Sequence, residues 1–350
     1  MKTVSFFICS NGFGHFKRCA RIASHLVSQN DKVKINFICP SKPLIILAKW
    51  NVVTFILNHP RICIIEGARN IELLKDGKFY IEKNYFKNIN NEITNLSNVI
   101  ISDNLSSILE IKNNAILMGS FLWSEILKHQ FPKDRNIEKF HDSELEVLKR
   151  YNPVMIGLND MAMPYVKKYT DFIGTSWIVD KKLMTPKRAS VKNILIMGGG
   201  TGIIDDTLLK MINKLRKSTN YSIFVSNQLY RNLDAKNDNC ILFDFDEHSF
   251  LTIDLMICRP GIGSLTDAIT YGIPVFGIGE PSNFEMEFNL KKIEELNFGM
   301  DISNFNNGID ELIESIILNG TYASFCKSLG QTNKNGIQEI IDFLTLKYNL

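Results

Sequence analysis

The feature that most constrains this chain is a short apolar run that breaks into a glycine turn and then a helix-spaced segment, once at the start of each half. In the first half, Thr3–Cys9 is rich in β-formers and Asn11-Gly12-Phe13-Gly14-His15 follows it. Phe16–Gln29 then places Cys19, Ile22, Ala23 and Leu26 on one helical face. In the second half, Asn193–Met197 runs into Gly198-Gly199-Gly200-Thr201-Gly202 and then into the helical Leu208–Leu215. Apolar strands that alternate with helices predict parallel sheets with crossover helices.

The rest of the pattern follows the same alternation. Lys34–Ile38, Val52–Leu57, Val99–Ile101, Ala115–Met118, Val154–Ile156 and Phe172–Ile173 read as strands of the first half, and Glu138–Arg150 reads as a charged helix. Tyr221–Val225, Cys240–Phe243, Leu255–Cys258 and Pro274–Gly277 read as strands of the second, with helices near Ser264–Tyr271, Met286–Leu296 and Gly308–Leu318. Asp180–Lys192 is polar, carries Pro186 and has no periodicity, so it reads as a linker. The expected organisation is an α/β protein of two Rossmann-like domains, 1–180 and 193–335, with a closing helix in 336–350 that packs on either one. A length of 350 residues suits two domains. The two halves share no sequence repeat. Glu72–Asn95 is rich in Lys and Asn, with Phe79, Tyr80, Tyr85 and Phe86. It reads as a solvated helix with a few core aromatics, or as a variable loop on the acceptor side.

Composition removes several classes. Hydrophobic residues make up 45% and charged residues 22%, as in a globular protein with a sizeable core. The net charge is only +3 and no block of like charge stands out, which argues against a nucleic-acid partner. A mildly basic surface leaves an anionic substrate or peripheral contact with an anionic membrane open. The seven cysteines show no C-x-x-C spacing and read as reduced core residues. The N-terminal apolar run is too short for a signal peptide, and no stretch reaches the ~18 apolar residues of a membrane helix. A cytoplasmic location, or one at the inner face of the membrane, is the expectation; the oligomeric state is left open.

Three glycine-rich stretches and one acid carry the chemistry. Gly12 and Gly14 let the backbone turn sharply, and the following helix aims free N–H groups at the carboxyl ends of the strands. His15 at that turn reads as a base or hydrogen-bond donor, or as a structural cap. Gly199, Gly200 and Thr201 belong to a turn that brings backbone close to a phosphate, though the Lys-Ser/Thr ending of a P-loop is missing. The densest motif is Cys258-Arg259-Pro260-Gly261-Ile262-Gly263-Ser264-Leu265-Thr266-Asp267-Ala268, followed by Tyr271-Gly272-Ile273-Pro274. Gly261, Gly263 and Ser264 open a helix at its positive end. Asp267, one turn on, would hold a ribose hydroxyl or merely complement the helix dipole.

These residues resemble the GT-B glycosyltransferases, particularly the peptidoglycan enzyme that adds N-acetylglucosamine to a lipid-linked muramyl peptide. The resemblance spans nearly the whole chain and implies two domains that face each other across a cleft. Gly12–His15 is similar to that family's N-terminal Gly-Gly-His loop, and Gly198–Gly202 to its second glycine loop. Arg259–Pro274 matches in length, with Asp267 at the family's ribose-binding acid. Asn283–Asn289 is similar to the family's His-x-Glu-Gln-x-x-Asn segment: Glu285 and Asn289 match, and Met286 replaces the Gln. The resemblance therefore implies donor binding by Gly199, Gly200, Thr201, Arg259, Gly261, Gly263, Ser264, Asp267, Glu285 and Asn289. Gly12, Phe13, Gly14 and Arg18 fall on the acceptor side. Asp103 ends the apolar strand of Ile100-Ile101-Ser102-Asp103 and stands where the natural-product branch of GT-B enzymes keeps an acid that orients the catalytic His; otherwise it caps Leu105–Ile111.

The resemblance implies an inverting transferase without a cofactor, with a nucleotide-sugar donor (a UDP-sugar by expectation) and a glycan, lipid-linked or small-molecule hydroxyl acceptor in cell-surface glycan synthesis. No metal is expected, because the sequence shows no His/Cys ligand cluster, and Asp205-Asp206 are adjacent and would diverge on a helix. A hydrolase is the alternative: Gly12–Cys19 reads Gly-x-Gly-His-x-x-Arg-Cys and resembles the start of the nucleotide-sugar hydrolase of pseudaminic acid synthesis. That family's Asp-His-Tyr segment is absent from the first half, and Gly119-Ser120-Phe121-Leu122-Trp123 favours an acceptor side. A sugar-nucleotide-binding scaffold, with His15 and Asp103 structural, is the non-enzymatic reading.

Overall fold

The computed structural model describes residues 1–73, 79–82, 85–86, 91–180, 190–200, 202–217, 220–233, 240–305 and 308–350. Thr201 and 181–189 of the expected linker lie outside them, as does much of Glu72–Asn95. The chain divides into two compact units, Met1–Asp180 with Asn333–Leu350, and Lys181–Thr332.

Unit 1 contains β1 (Lys2–Ile8), β2 (Val33–Cys39), β3 (Ile62–Glu66), β4 (Ile71–Leu73), β5 (Phe79–Ile81), β6 (Val99–Asp103), β7 (Ile116–Met118), β8 (Val154–Leu158) and β9 (Asp171–Thr175). Its helices are α1 (Phe13–Gln29), α2 (Ser41–Ile46), α3 (Asn51–Asn58), α4 (Asn91–Leu96), α5 (Trp123–Gln130), α6 (Arg135–Tyr151) and α7 (Pro164–Tyr169). Unit 2 carries β10 (Asn193–Met197), β11 (Ser222–Val225), β12 (Cys240–Leu242), β13 (Leu255–Cys258), β14 (Val275–Gly277) and β15 (Gly299–Asp301). Its helices are α8 (Asp205–Leu215), α9 (Asn227–Arg231), α10 (Glu247–Thr252), α11 (Ile262–Tyr271), α12 (Phe284–Glu295), α13 (Ile309–Leu318) and α14 (Thr321–Gln331); α15 (Gly336–Tyr348) returns to unit 1.

Among the described residues, unit 1 forms a parallel sheet in the order β3-β2-β1-β6-β7-β8-β9, and unit 2 one in the order β12-β11-β10-β13-β14-β15. Val4, Phe6, Phe7 and Ile8 of β1 are all fully buried, as a strand covered on both faces requires. Ile194, Ile196, Ile223, Val225, Leu255 and Ile257 form the matching core of unit 2 with Leu208 and Ile212 of α8. In each sheet the strand order reverses beside the first strand, between β1 and β6 and between β10 and β13. Open α/β sheets bind ligands beyond the carboxyl ends of the strands at such a reversal.

Val52–Leu57, expected as a strand, lies instead in the helix α3. Val53 and Ile56, three apart, are fully buried, and Leu57 is half exposed. A six-residue apolar run is ambiguous by periodicity, and packing of α3 against α1 decides it. The strand of this region is β3, ten residues later. Cys63 is exposed and Cys326 partly so; the other five cysteines are buried, and all seven are free.

The last helix is fastened to unit 1. Ser176 donates to Glu339 from its backbone N–H and from its hydroxyl, each at 2.7 Å. Gly336 N–H donates to the Trp177 carbonyl at 3.2 Å, and a Cβ at Gly336 would collide with the Ser176 carbonyl. The helix packs on α1 and β9. Among the described residues no helix is long and apolar enough to cross a membrane.

Candidate functional site

The reversal in unit 1 brings together two residues 88 positions apart. The register pairs Ile8 with Asp103, so the turn after β1 and the end of β6 meet. The helix starts earlier than its spacing suggests, at Phe13, which places His15 and Arg18 in its first two turns. Gly12 is the N-cap with φ +76°, a conformation that favours glycine, and a Cβ there would stand in open space. No side chain caps α1.

Asp103 is fully buried and does not cap the following short helix, Ser106–Glu110. It is instead the acceptor of a dense network. His15 Nδ1 lies 2.7 Å from Oδ1, and an ionised carboxylate only accepts, so Nδ1 carries the hydrogen and Nε2 is the basic nitrogen. Arg18, expected on the acceptor side, forks onto the same carboxylate: Nη2 donates to Oδ1 at 2.6 Å and Nε to Oδ2 at 2.9 Å. The Cys19 thiol donates to Oδ2 at 3.1 Å. Burial by itself would push Asp103 up, but the charges of Arg18 and His15 outweigh it and hold the carboxyl well below the usual range. Burial and the Asp103 charge push the Cys19 thiol up, so it stays protonated.

Aromatic rings fix the imidazole from the other side. Trp123 stacks on His15 at 6.1 Å between centroids, and Phe121 meets it edge-on at 6.2 Å. Phe79 packs edge-on against both Trp123 and Phe131. The Gly119–Trp123 segment therefore positions the His15 ring.

A second buried acid of unit 1 has the opposite surroundings. Glu125, in the first turn of α5, accepts from Tyr165 N–H at 3.4 Å through Oε1, while Oε2 has no partner among the described residues. Burial pushes it up to about 7; the Tyr165 and Leu122 backbone bonds pull down, and Glu144 adds repulsion.

At the matching reversal of unit 2, two glycine turns lie side by side, since Met197 pairs with Cys258. Gly199 has φ +77° and lies against the side chain of Arg259, whose Cδ would be 3.2 Å from an added Cβ. Gly200 faces open space. Beneath the turn lies the Asp205 carboxylate, bonded to Gln228 and against Gly198 and Gly202. Gly261 is the N-cap of α11, and the N-cap residues of α11 and α8 make no side-chain cap. At α8 the first N–H, that of Asp205, donates to the Gly202 carbonyl at 3.3 Å. Helix starts without a side-chain cap suit an anion. Gly263 and Ser264 lie in the partly exposed first turn of α11. Asp267 is buried one turn on, and after burial it is the main influence that raises the Cys258 thiol to about 12.

Arg259 is held by Glu280, a residue the motif reading passed over. Nη2 lies 3.0 Å from Oε2 and Nε 2.6 Å from Oε1. Asn283 Nδ2 donates to the same carboxylate at 2.6 Å, and its Oδ1 caps α12 at Met286 N–H. Asn289 is buried and donates to the Pro260 carbonyl at 2.8 Å, so it fastens α12 to the Arg259–Gly261 turn. Glu285 lies in the first turn of α12, partly buried. Among the described residues no group of three or more His, Cys, Asp and Glu could hold a metal ion.

No protein-family model matches the chain, and no curated protein matches it in sequence. Solved structures match it over its length. Medicago truncatula UGT71G1 complexed with UDP-glucose aligns over 98% of both chains at 14% identity and a TM-score of 0.64. The spinosyn forosaminyltransferase SpnP aligns over 100% of both at 9% identity and 0.62. CalG4, the calicheamicin glycosyltransferase, covers 99% of this chain and 98% of its own at 11% identity and 0.59. At such identities the likeness is one of fold, and together with the two parallel sheets it shows that this chain has the GT-B glycosyltransferase fold.

Proposed function

We propose that the chain is an inverting glycosyltransferase that moves a sugar from a nucleotide-sugar donor to a hydroxyl acceptor in the synthesis of a cell-surface glycan or glycoconjugate. The observation that carries this reading is the buried His15–Asp103 pair, 2.7 Å apart at the reversal of unit 1. His15 Nε2 takes the proton of the attacking hydroxyl, and Asp103 holds the ring in one tautomer. One base suffices for a single displacement, which inverts the anomeric carbon.

The donor diphosphate binds unit 2, on the uncapped starts of α8 and α11 and the open backbone at Gly200. Gly199, Gly261, Gly263 and Ser264 shape that surface, Arg259 supplies positive charge against its Glu280 partner, and Asp267 reads the ribose. Structures with this fold were solved with UDP-glucose and with UDP-L-rhamnose, which supports a UDP-sugar here. Backbone N–H groups and helix ends carry the diphosphate charge, so activity should persist in EDTA.

The Gly12–Cys19 string supports a second reading, hydrolysis with water as acceptor. The deciding experiment incubates the protein with UDP-sugars with and without hydroxyl acceptors and follows products by proton NMR. A first-formed glycoside of inverted configuration, dependent on acceptor, establishes transfer. Free sugar formed at the same rate with or without acceptor establishes hydrolysis. Retention of configuration rejects the single-displacement mechanism.

A further inference from the structure

The acid that orients His15 is shared. Asp103 Oδ1 lies 2.7 Å from His15 Nδ1 and 2.6 Å from Arg18 Nη2, and that Nη2 is itself 3.2 Å from Nδ1. Asp103 is fully enclosed, and the side chains of His15 and Arg18 are about one-tenth exposed. In a simple histidine–carboxylate pair, proton uptake by the ring turns a net charge of −1 into zero, so the carboxylate favours the imidazolium. Here Asp103, Arg18 and a neutral His15 already sum to zero, and proton uptake leaves +1 in a buried place.

We infer that Arg18 is a positioning residue that keeps His15 in its neutral, proton-accepting form by cancelling the charge of Asp103. This rests on the reading of His15 as the general base. The groups that face the ring settle the sign. Asp103 comes from β6, and Arg18 and Cys19 come from α1; Cys9, just beyond β1, feels both Asp103 and Arg18. Both thiols are pushed up by burial and are uncharged near neutrality. Phe121 and Trp123 close the other side without charge. Among the described residues, the field at Nδ1 is therefore Asp103 against Arg18.

The transfer step balances accordingly. The acceptor hydroxyl gives its proton to Nε2, and its oxygen pair forms the bond to the anomeric carbon. The bond from that carbon to the diphosphate oxygen breaks and its pair leaves with the diphosphate. The cluster gains one positive charge and the leaving group one negative charge. The imidazolium thus finds no uncancelled charge within its own cluster, where a simple pair would balance it with its own carboxylate.

The test is a pH titration of the His15 ring in protein labelled with ¹⁵N-histidine, assigned with His15→Gln, alongside the pH profile of kcat/KM. An opposite charge within a few ångströms moves a titration by roughly 1–3 units. Arg18→Met leaves Asp103 uncancelled, so the ring midpoint and the acid limb of the profile should both move up by about one pH unit or more. Arg18→Lys should restore most of the wild-type midpoint. The double variant Arg18→Met/Asp103→Asn removes both charges and should titrate close to wild type. An unmoved midpoint in Arg18→Met overturns the inference, as does a double variant that titrates far below wild type. Should Arg18→Met not fold, the double variant decides, because it leaves no buried charge unpaired. The ring titration needs no turnover, so absence of glycosyl transfer would reject the proposed function while leaving this reading standing or falling on its own.

Discussion

The two units use one architecture with different residues at the matching strand ends. In both, the first strand sits beside the reversal in strand order, and the register brings the next strand to the same place: Ile8 opposite Asp103 in unit 1, Met197 opposite Cys258 in unit 2. Asp103 and Cys258 are both fully buried. A carboxylate at that position demands a counter-charge, and α1 supplies Arg18 and His15 one turn apart. A thiol demands no counter-charge, and in unit 2 the charged groups near the strand ends have their own partners beside glycine turns, Arg259 with Glu280 and Asp205 with Gln228. The fold provides the same strand-end position twice, and the two units fill it with a buried carboxylate in one case and a buried thiol in the other.

The largest test of this contrast removes the proposed base, His15. His15→Ala should lower turnover by roughly 10²–10⁴ when chemistry limits the rate, while nucleotide affinity by calorimetry stays at the wild-type value. Loss of both together would mean that the labour is not divided between the units.

The matched strand-end positions can then be compared directly in urea denaturation. Asp103→Asn leaves the Arg18 charge buried without its carboxylate and should cost about 3 kcal/mol at pH 7. Cys258→Ala should cost on the order of 1 kcal/mol. The Asp103 carboxyl is held below its unfolded value, so its contribution is fully present above pH ~4 and is lost as the pH falls below that. The gap between wild type and Asp103→Asn should therefore narrow at pH 3. A gap that is constant with pH, or equal costs at the two positions, would break the comparison.

Glu125 sharpens it from within unit 1, as a buried acid with no cation beside it among the described residues. Its carboxyl titrates at about 7, above an unfolded value of ~4.3, so the folded state holds a proton that the unfolded state has released. Stability from this group is greatest at low pH and declines as the pH rises through that window. Glu125→Gln should be nearly neutral at pH 5 and more stable than wild type by roughly 2 kcal/mol at pH 8. A variant less stable at pH 8 would show that the ionised form is satisfied by contacts other than Tyr165 and Leu122.

The smallest expected effect belongs to the glycine turn. Gly199→Ala forces a side chain into φ +77° against Arg259, with a stability cost of about 1–2 kcal/mol and a nucleotide affinity lowered about tenfold. The His15 ring titration should not change. Wild-type affinity in the folded variant would move the nucleotide away from this turn.

Local pattern revealed the parallel strands, the glycine turns and the residues His15 and Asp103, because these depend on short apolar runs and on what breaks them. It misplaced Val52–Leu57, whose six apolar or β-branched residues suit a strand as well as a buried helix until α1 is there to pack against. It did not reveal that Arg18 forks onto Asp103, that Trp123 stacks on His15, or that Glu280 holds Arg259. Those contacts depend on which strands are neighbours, and strand order is not written in any window of the chain. Asp205 was read only as unable to chelate with Asp206; that it folds back beneath the Gly198–Gly202 turn needed the course of the backbone between them.

The closing helix has a consequence for how the protein is made. Glu339 and Gly336 fasten α15 to Ser176 and Trp177, yet all of unit 2 is encoded between the two partners. A ribosome that has finished β9 must synthesise roughly 160 more residues before the helix that covers α1 and β9 can emerge. At ~5–20 residues per second that apolar flank waits for about 8–30 seconds. During that interval the surface of α1 and β9 that α15 covers stays bare, and a stop codon placed just before α15 would leave it so.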